Sequence, residues 1–273
     1  MKVKRRTPQD QPGKETPALQ PTAPYTVLAA GYDVVMEHVE YDAWADYVHE
    51  LIETHRPGAE TILELACGTG SLAFELQPLG PYRYAGTDHS ADMVRVARAK
   101  AELYGADVQF EVADFTSFRA EPPVDVLILL YDGLNYLLEE DHIRALFRCA
   151  YEALAPGGIF LFDQSTPSNS INNEPYFEDR GRADAFSYVR HSRYDPATRL
   201  HTTTLDLTVD DRTFREEHVQ RAYDIEEIRA LVDETPFEVA ARYDTFSTDP
   251  ATDASERVHW IVRRRGASTV EPG

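Results

Sequence analysis

The chain has 273 residues, of which 42% are hydrophobic, and a formal net charge of -20 at pH 7. This length suits one large globular domain or a domain with an elaborate insertion, and the negative charge disfavours nucleic acid and anionic membranes as partners. Cys67 and Cys149 cannot build a disulfide framework, and no apolar run reaches the roughly 20 residues that span a bilayer. A cytoplasmic location is therefore expected, whereas nothing in the sequence indicates an oligomeric state.

The first part of the chain is expected to precede the core. Residues 1–24 are polar and proline-rich, which predicts a disordered tail without a signal peptide. Residues 25–57 are expected to form an N-terminal helical cap, because Trp44, Val48 and Leu51 recur at helical spacing.

Short strand and helix patterns alternate through residues 58–165 and resume at 224–266. This alternation predicts a Rossmann-like α/β core built on an open parallel sheet. Ser90 is a candidate N-cap for one of the helices, which Gly105 is expected to end. Another helix is expected to end at Pro156-Gly157-Gly158. The strands are expected at Thr61 to Leu65, Tyr82 to Thr87, Val108 to Val112, Val124 to Leu130, Ile159 to Phe162, Phe237 to Tyr243 and Val258 to Val262.

Residues 166–223 interrupt this core with a different periodicity. Apolar and polar residues alternate in three stretches, and the pairs Asp195-Pro196 and Asp210-Asp211 mark tight turns between them. The stretches are Phe186 to Tyr188, His201 to Val209 and Phe214 to Tyr223. They predict a three-stranded antiparallel insertion. Such an insertion commonly shapes a substrate pocket at the carboxyl edge of a parallel sheet, but a structural flap or a dimerisation surface fits the pattern equally well.

A glycine loop follows the first core strand. Gly68 to Ala73 fits G-x-G-x-x-A, the pattern of loops that bind a dinucleotide pyrophosphate. Asp88 ends the second strand, where a carboxylate can accept hydrogen bonds from both hydroxyls of a ribose. NAD and S-adenosylmethionine share that ribose, so these residues predict an adenosine ligand without separating the two cofactors.

Three further features favour the cationic cofactor. Glu64 would place a negative charge where a pyrophosphate binds, whereas an ammonium and a sulfonium would tolerate it. Asp114, within Ala113-Asp114-Phe115 after the third strand, can accept a hydrogen bond from an adenine amino group beside an apolar wall. The run Leu130 to Tyr136 follows the fourth strand as a polar and aromatic cluster, at the sheet edge where the reacting end of the cofactor would lie.

Together these motifs resemble those of the class I S-adenosylmethionine-dependent methyltransferases, over about residues 25–262. Tyr32-Asp33, the run Asp132 to Leu137 and the run Glu217 to Tyr223 are similar to segments of small bacterial methyltransferases related to sugar-amine N,N-dimethyltransferases. The resemblance implies a seven-stranded, mostly parallel sheet whose last strand is antiparallel, with a three-stranded lid. It also implies transfer of a methyl group from S-adenosyl-L-methionine to the N or O atom of a small-molecule acceptor by direct in-line displacement.

The resemblance also implies roles for individual residues. His218, Tyr131 and Asp132 are candidate catalytic residues, with Glu217 as a further candidate base. Contacts to the cofactor are expected from Tyr25, Tyr32, Glu64, Leu65, Ala66, Gly68, Gly70, Asp88, His89, Met93, Ala113, Asp114, Phe115, Leu130 and Tyr136. Contacts to the acceptor are expected from Asn135, Arg221 and Tyr223. The histidines show no close grouping with each other or with cysteine, so no metal site is expected.

Each assignment has an alternative in the pattern itself. His218 and Arg221 would serve equally well as cross-strand pairs, and Asp132-Gly133 is ordinary turn chemistry. At the level of the whole chain, an NAD-dependent oxidoreductase shares the same type of sheet and the same ribose-binding carboxylate. A non-catalytic adenosyl-ligand-binding protein would need the same cofactor site.

Overall fold

A computed structural model describes residues 19–266, which fold into two β-sheets joined by helices. The strands are β1 (Gln20–Pro21), β2 (Thr61–Leu65), β3 (Arg83–Asp88), β4 (Val108–Val112), β5 (Val124–Leu129), β6 (Leu154–Ser165), β7 (Glu178–Ala183), β8 (Phe186–Asp195), β9 (Leu200–Val209), β10 (Arg212–Arg221), β11 (Phe237–Asp244) and β12 (Arg257–Arg264). The α-helices are α1 (Tyr32–Val35), α2 (Tyr41–His55), α3 (Ser71–Leu76), α4 (Ala91–Tyr104), α5 (Glu140–Ala153), α6 (Pro167–Asn172) and α7 (Ile225–Asp233).

The larger sheet has seven strands in the order β11-β12-β6-β5-β2-β3-β4. β12 runs antiparallel to both of its neighbours, and the other pairs are parallel, which confirms the predicted fold class. The chain passes from β2 outward to β4 and then returns to place β5 on the other side of β2. Strand order therefore reverses between β2 and β5, where the carboxyl ends of an open parallel sheet leave a crevice for a ligand.

Local signals in the sequence set the ends of several helices. The Ser90 hydroxyl accepts a hydrogen bond from the backbone N–H of Met93 at 3.3 Å, and Gly105 ends α4 with a φ angle of 64°. Asp224 and Glu227 form a capping box at the start of α7. The sheet is covered on both faces, with α5 and α7 on one side and α2, α3 and α4 on the other.

The end of α5 differs from the prediction. The helix stops at Ala153 and β6 begins at Leu154, before the Pro156-Gly157-Gly158 segment. Leu154 pairs with Val124 and Ile159 pairs with Val126, so residues 155–158 bulge out of the strand. The proline and glycines therefore shape an irregular strand, not a helix end.

The second sheet has the strand order β1-β10-β9-β8-β7, and we call β7 to β10 the lid. The three predicted strands correspond to β8, β9 and β10, and Asp210-Asp211, two residues with positive φ angles, joins β9 to β10. The lid has a fourth strand, β7, which corrects the predicted count. Its sequence EDRGRA has no apolar alternation, because β7 is an edge strand that pairs with β8 through its backbone.

The segment before α2 bridges the two sheets. Residues 1–18 of the predicted disordered tail lie outside the described residues, but β1 pairs in parallel with β10, which corrects the prediction for its last part. Leu28, Val35 and Met36 pack against Phe186 and Leu207 of the lid. The N-terminal cap thus joins the lid to the core. Over residues 19–266, no helix combines the length and the apolar character needed to cross a membrane.

Candidate functional site

The glycine loop after β2 uses a left-handed backbone at three positions. Ala66, Gly68 and Gly70 have φ angles of 53°, 55° and 77°. A Cβ atom at Gly70 would lie 2.6 Å from the ring of Phe110, so this position needs glycine for space as well as for backbone freedom. Ala66 adopts the same region at an energetic cost, which is common where a loop is held in place for a ligand.

Asp88, the last residue of β3, ties the glycine loop to the neighbouring strand. Its carboxylate accepts hydrogen bonds from the backbone N–H of Gly68 at 2.9 Å and of Ser90 at 2.8 Å. Burial raises the pKa of Asp88, although these two hydrogen bonds oppose the shift. Because a carboxylate oxygen accepts more than one hydrogen bond, Asp88 can still bind two ligand hydroxyls.

Glu64 lies near the carboxyl end of β2, buried and without a cationic partner among residues 19–266. Its carboxyl group accepts a hydrogen bond from the Tyr84 hydroxyl at 2.9 Å. Burial raises the pKa of Glu64 to about 8, so the side chain is largely protonated at neutral pH. Glu64 lines a recess of about 40 Å³ together with Tyr41 and Trp44. A positive charge placed beside Glu64 would favour its ionised form.

A larger cavity of about 630 Å³ runs along the carboxyl ends of β2 to β5, and we call it the strand-end cavity. It adjoins the recess of Glu64, since both are lined by Tyr32, Ala66 and Leu130. The predicted cofactor residues that line the strand-end cavity are Tyr25, Tyr32, Ala66, Gly68, Asp88, His89, Met93, Asp114, Phe115, Leu130 and Tyr136. The structure thus brings most of the predicted set to one hollow.

Leu65, Gly70 and Ala113 do not line this cavity, and their contacts to the cofactor stay predictions. Leu65 is fully buried in the core, Ala113 packs against that core, and Gly70 shapes the turn. Conversely, Ser90 and His142 line the cavity without having been predicted to do so. His142 lies on α5, and the sequence of that helix does not indicate which of its polar residues faces the sheet edge.

His89 follows β3 and Asp114 follows β4, and both residues line one end of the strand-end cavity. Their side chains approach to 4.0 Å, and both are exposed. The Asp114 carboxylate accepts two hydrogen bonds from Thr116, one from the backbone N–H and one from the hydroxyl, each at 2.7 Å. Burial would raise the pKa of Asp114, but these hydrogen bonds outweigh it and lower the pKa. Asp114 is therefore an ionised acceptor in a fixed orientation.

A second cavity of about 390 Å³ lies between the N-terminal cap, the strand ends and the lid, and we call it the lid cavity. Four residues line both this cavity and the strand-end cavity: Tyr25, Tyr32, Tyr131 and Tyr136. We call them the gateway tyrosines. Tyr25 and Tyr131 have positive φ angles of 62° and 65°, so the backbone is held in an unfavourable conformation where the two cavities meet.

Two charged residues, Asp163 and the partly exposed Arg257, hold the turn that carries Tyr131 and Asp132. Asp163, fully buried in β6, accepts hydrogen bonds from the backbone N–H groups of Tyr131 and Asp132, each at 3.0 Å. Arg257 of β12 contacts Asp163 and lies 2.8 Å from Asp132. Burial raises the pKa of Asp163 to about 6, although Arg257 opposes the shift. Neither Asp163 nor Arg257 was predicted as a site residue.

His218 projects from β10 into the lid cavity, as the lid motif implies. Its Nδ1 atom lies 3.0 Å from the Tyr136 hydroxyl, and its Nε2 atom lies 3.3 Å from the carboxylate of Glu216. Glu216 is fully buried and also accepts three hydrogen bonds from backbone N–H groups of the segment 25–28. Alternation along β10 places Glu216 on the same face as His218, a signal by which the sequence could have identified it.

The three predicted acceptor contacts lie away from both cavities, and their role stays a prediction. Asn135 is 2% exposed and donates both amide hydrogen bonds to backbone carbonyls. Tyr223 is fully buried and donates to the carbonyl of Leu137, while Arg221 stacks 4.6 Å from the ring of Tyr223. Within the described part of the chain, these three residues line neither cavity. Glu217 is exposed on the opposite face of β10 from His218.

Comparisons with known proteins find methyltransferases. Residues 62–158 match the methyltransferase domain family. A candidate methyltransferase of Geobacillus sp. (strain WCH70) is 29% identical over 246 residues, which cover 88% of this chain and 99% of the relative. The dTDP-3-amino-3,4,6-trideoxy-alpha-D-glucopyranose N,N-dimethyltransferase of Streptomyces venezuelae is 26% identical over 186 residues, which cover 66% of this chain and 76% of the relative.

The fold is shared with solved methyltransferases. An S-adenosylmethionine-dependent methyltransferase from Clostridium acetobutylicum ATCC 824 superposes with a TM-score of 0.74 at 23% identity, over 89% of this chain and 99% of that chain. These relatives confirm the resemblance inferred from the motifs, and they support neither a nicotinamide-dependent oxidoreductase nor a non-catalytic binding protein. Residues 62–158 are thus similar to the methyltransferase domain family, and the described chain has the fold of solved S-adenosylmethionine-dependent methyltransferases.

Proposed function

We propose that the protein transfers the methyl group of S-adenosylmethionine to the nitrogen of a small-molecule amine by direct in-line displacement. One observation carries the proposal: the strand-end cavity and the lid cavity meet at the four gateway tyrosines. A cofactor in the first cavity and an acceptor in the second would therefore face each other across a short, aromatic passage.

The residues along the strand ends fit the parts of this cofactor. Asp88 would accept hydrogen bonds from the ribose hydroxyls, and Asp114 would accept one from the adenine amino group beside Phe115. Glu64 would bind the ammonium at the methionine end. The fit rests on Glu64, because this buried carboxyl group has no cationic partner within residues 19–266 and would gain one when an ammonium binds.

When bound, the cofactor supplies a sulfonium methyl group that is already electrophilic. The protein must then align the acceptor and exclude water, and alignment alone can supply up to roughly 7–11 kcal/mol of the barrier. The rings of Tyr25, Tyr32, Tyr131 and Tyr136 surround the passage between the two cavities. Aromatic faces attract cations, so these rings would favour the sulfonium while keeping water out.

Charges beside the passage favour an acceptor that arrives as a cation. Asp132 lines the lid cavity, and its buried Oδ1 atom has no hydrogen-bond partner among the described residues, although the Arg257 guanidinium lies 2.8 Å away. Arg257 faces two carboxylates, Asp132 and Asp163, so at neutral pH the cluster carries one excess negative charge. The excess negative charge of this cluster would attract an ammonium, whereas a neutral hydroxyl would gain much less electrostatic stabilisation.

A named relative and the size of the lid cavity support the same choice. The Streptomyces venezuelae protein described above acts on the amine of a sugar nucleotide, according to its name. The lid cavity, at about 390 Å³, suits a small molecule.

The test is transfer of methyl groups from labelled S-adenosylmethionine. We would offer glucosamine, benzylamine and putrescine beside their hydroxyl counterparts glucose, benzyl alcohol and butanediol, together with the small-molecule fraction of a bacterial lysate. We expect products methylated on nitrogen, identified by mass spectrometry. Methylation confined to oxygen, or no transfer in any of these mixtures, would overturn the proposed nitrogen acceptor.

A further inference from the structure

We infer that Tyr25, Tyr136, His218 and Glu216 form a proton relay that removes the proton which the acceptor amine must lose before methylation. The inference rests on the proposed nitrogen acceptor. An amine that is attracted to the lid cavity as an ammonium has no free lone pair, so a group near the passage must take its proton.

Four side chains form a continuous hydrogen-bonded chain from the passage into the interior. The Tyr25 and Tyr136 hydroxyls are in hydrogen-bond contact. The Tyr136 hydroxyl lies 3.0 Å from Nδ1 of His218, and Nε2 of His218 lies 3.3 Å from Glu216. Tyr25, Tyr136 and His218 line the lid cavity, whereas Glu216 is fully buried behind them.

The chemistry of Glu216 sets the direction of every hydrogen bond in the chain. Burial raises the pKa of Glu216, but hydrogen bonds from His218 and from the backbone of residues 25–28 outweigh burial and lower it. The carboxylate is therefore ionised and can only accept hydrogen bonds, so Nε2 of His218 must be the protonated nitrogen. When His218 carries only this one proton, its Nδ1 accepts from Tyr136, and Tyr136 accepts from Tyr25.

This order leaves the oxygen of Tyr25 free to accept a further proton. The N–H bond of the ammonium breaks as its proton moves to the Tyr25 oxygen, while the Tyr25 proton moves to Tyr136. The Tyr136 proton moves to Nδ1 of His218, which becomes an imidazolium next to the ionised Glu216. One proton leaves the amine and one arrives on His218, so that both tyrosines are neutral before and after the transfer.

The surroundings suit a relay that passes through the tyrosines without storing charge on them. Burial raises the pKa values of Tyr25 and Tyr136, which disfavours a tyrosinate. Glu216 is held by backbone N–H groups at 2.7, 2.7 and 3.0 Å, so it is a positioning residue that selects the tautomer of His218. The same bonds fasten the segment that carries Tyr25.

The first test reads the tautomer without any acceptor. In the full chain bound to S-adenosylhomocysteine, nitrogen NMR of labelled histidine should show neutral His218 with its proton on Nε2. Glu216→Gln should shift His218 toward the other tautomer, and Glu217→Gln, the adjacent exposed carboxylate, should leave it unchanged. A wild-type proton on Nδ1, or no response to Glu216→Gln, would overturn the relay.

The second test uses the panel amine that the wild-type protein methylates fastest. Tyr136→Phe keeps the ring but breaks the chain, so kcat at pH 7 should fall about 100-fold while KM for S-adenosylmethionine changes by less than about threefold. The loss should shrink to about tenfold or less once the pH exceeds the pKa of the free amine, because the acceptor then arrives neutral. Glu217→Gln should have the wild-type profile.

Other groups that titrate or carry charge also face His218, so the pH profile is read as a difference between variants. Those that line the lid cavity with His218 are Tyr25, Tyr32 and His38 of the N-terminal segment, Tyr131, Asp132 and Tyr136 from the turn after β5, Tyr176, Arg190 of β8, His201 of β9 and Arg257 of β12, and Glu216 of β10 lies behind it. An equal loss for Tyr136→Phe at every pH would overturn the relay. If no amine is methylated, the nitrogen acceptor fails instead, and the NMR result still decides the direction of the hydrogen bonds.

Discussion

Replacing Glu64 by glutamine should remove the pH dependence of cofactor binding. In the free protein, burial raises the pKa of this carboxyl group to about 8. A bound ammonium favours the ionised form, so binding below pH 8 must release the Glu64 proton. By linkage, a ligand whose binding releases a proton binds more tightly as the pH rises, and the affinity should therefore increase from pH 6 to pH 8.

The size of the effect follows from the ionised fraction of Glu64. If only the ionised form binds, a pKa of about 8 makes the affinity rise about 50-fold between pH 6 and pH 8. Glu64→Gln has no proton to release, so its dissociation constant should change by less than about twofold over the same range. Its affinity at pH 8 should be weaker than that of the wild-type protein.

Isothermal titration calorimetry with S-adenosylhomocysteine measures both quantities. Titrations at pH 6, 7 and 8 give the affinity, and buffers with different ionisation enthalpies give the number of protons released. Glu60→Gln is the matched control, because Glu60 is an exposed carboxylate that precedes β2 at the opposite end of the strand. His89 and His142 line the cavity in all three proteins, so their titration cancels in the comparison. Equal pH dependence in wild-type and Glu64→Gln proteins would refute the assignment.

Three further substitutions test the cofactor site and its support. Asp88→Ala should weaken binding of S-adenosylhomocysteine at least about tenfold in calorimetry, because charge-assisted hydrogen bonds worth roughly 1.5–3 kcal/mol are lost; unchanged affinity would contradict the ribose assignment. Gly70→Ala should lower the free energy of unfolding, measured in urea titrations, by more than the roughly 1–2 kcal/mol expected for backbone strain alone, because the new Cβ atom meets Phe110. Gly58→Ala is the control, since Gly58 has a similar φ angle and space for a Cβ atom; it should lose only the strain energy. Arg257→Met should destabilise the fold by about 3–5 kcal/mol at pH 8. The loss of stability should be smaller at pH 5, because Asp163, with a pKa of about 6, is then protonated. Equal losses of stability at both pH values in thermal unfolding would count against this.

The parallel core was predictable because its signals are local. Ser90 marks the start of α4 and Gly105 marks its end. Asp224 with Glu227 marks the start of α7. The predicted core strands lie within about two residues of the observed ones, apart from β6, whose bulge hides its start. The edge strands β1 and β7 were missed because they pair through backbone groups and carry no apolar stripe.

The residues of the candidate site differ in the same way: some could be predicted from local signals and others could not. Asp88 and Glu64 belong to strand ends that the topology brings to one edge, so their position in the chain was informative. Glu216, Asp163 and Arg257 act through contacts between distant segments, and only the folded chain shows what each one faces. Asn135 and Tyr223 resemble site residues by motif, yet both side chains donate their hydrogen bonds to backbone carbonyls.

A structure of the protein bound to S-adenosylhomocysteine tests the central claim most directly. We expect the ribose hydroxyls on Asp88, the ammonium on Glu64, and the sulfur at the passage between Tyr25, Tyr32, Tyr131 and Tyr136, directed toward the lid cavity. A sulfur atom that points away from this passage, or an ammonium far from Glu64, would contradict the account.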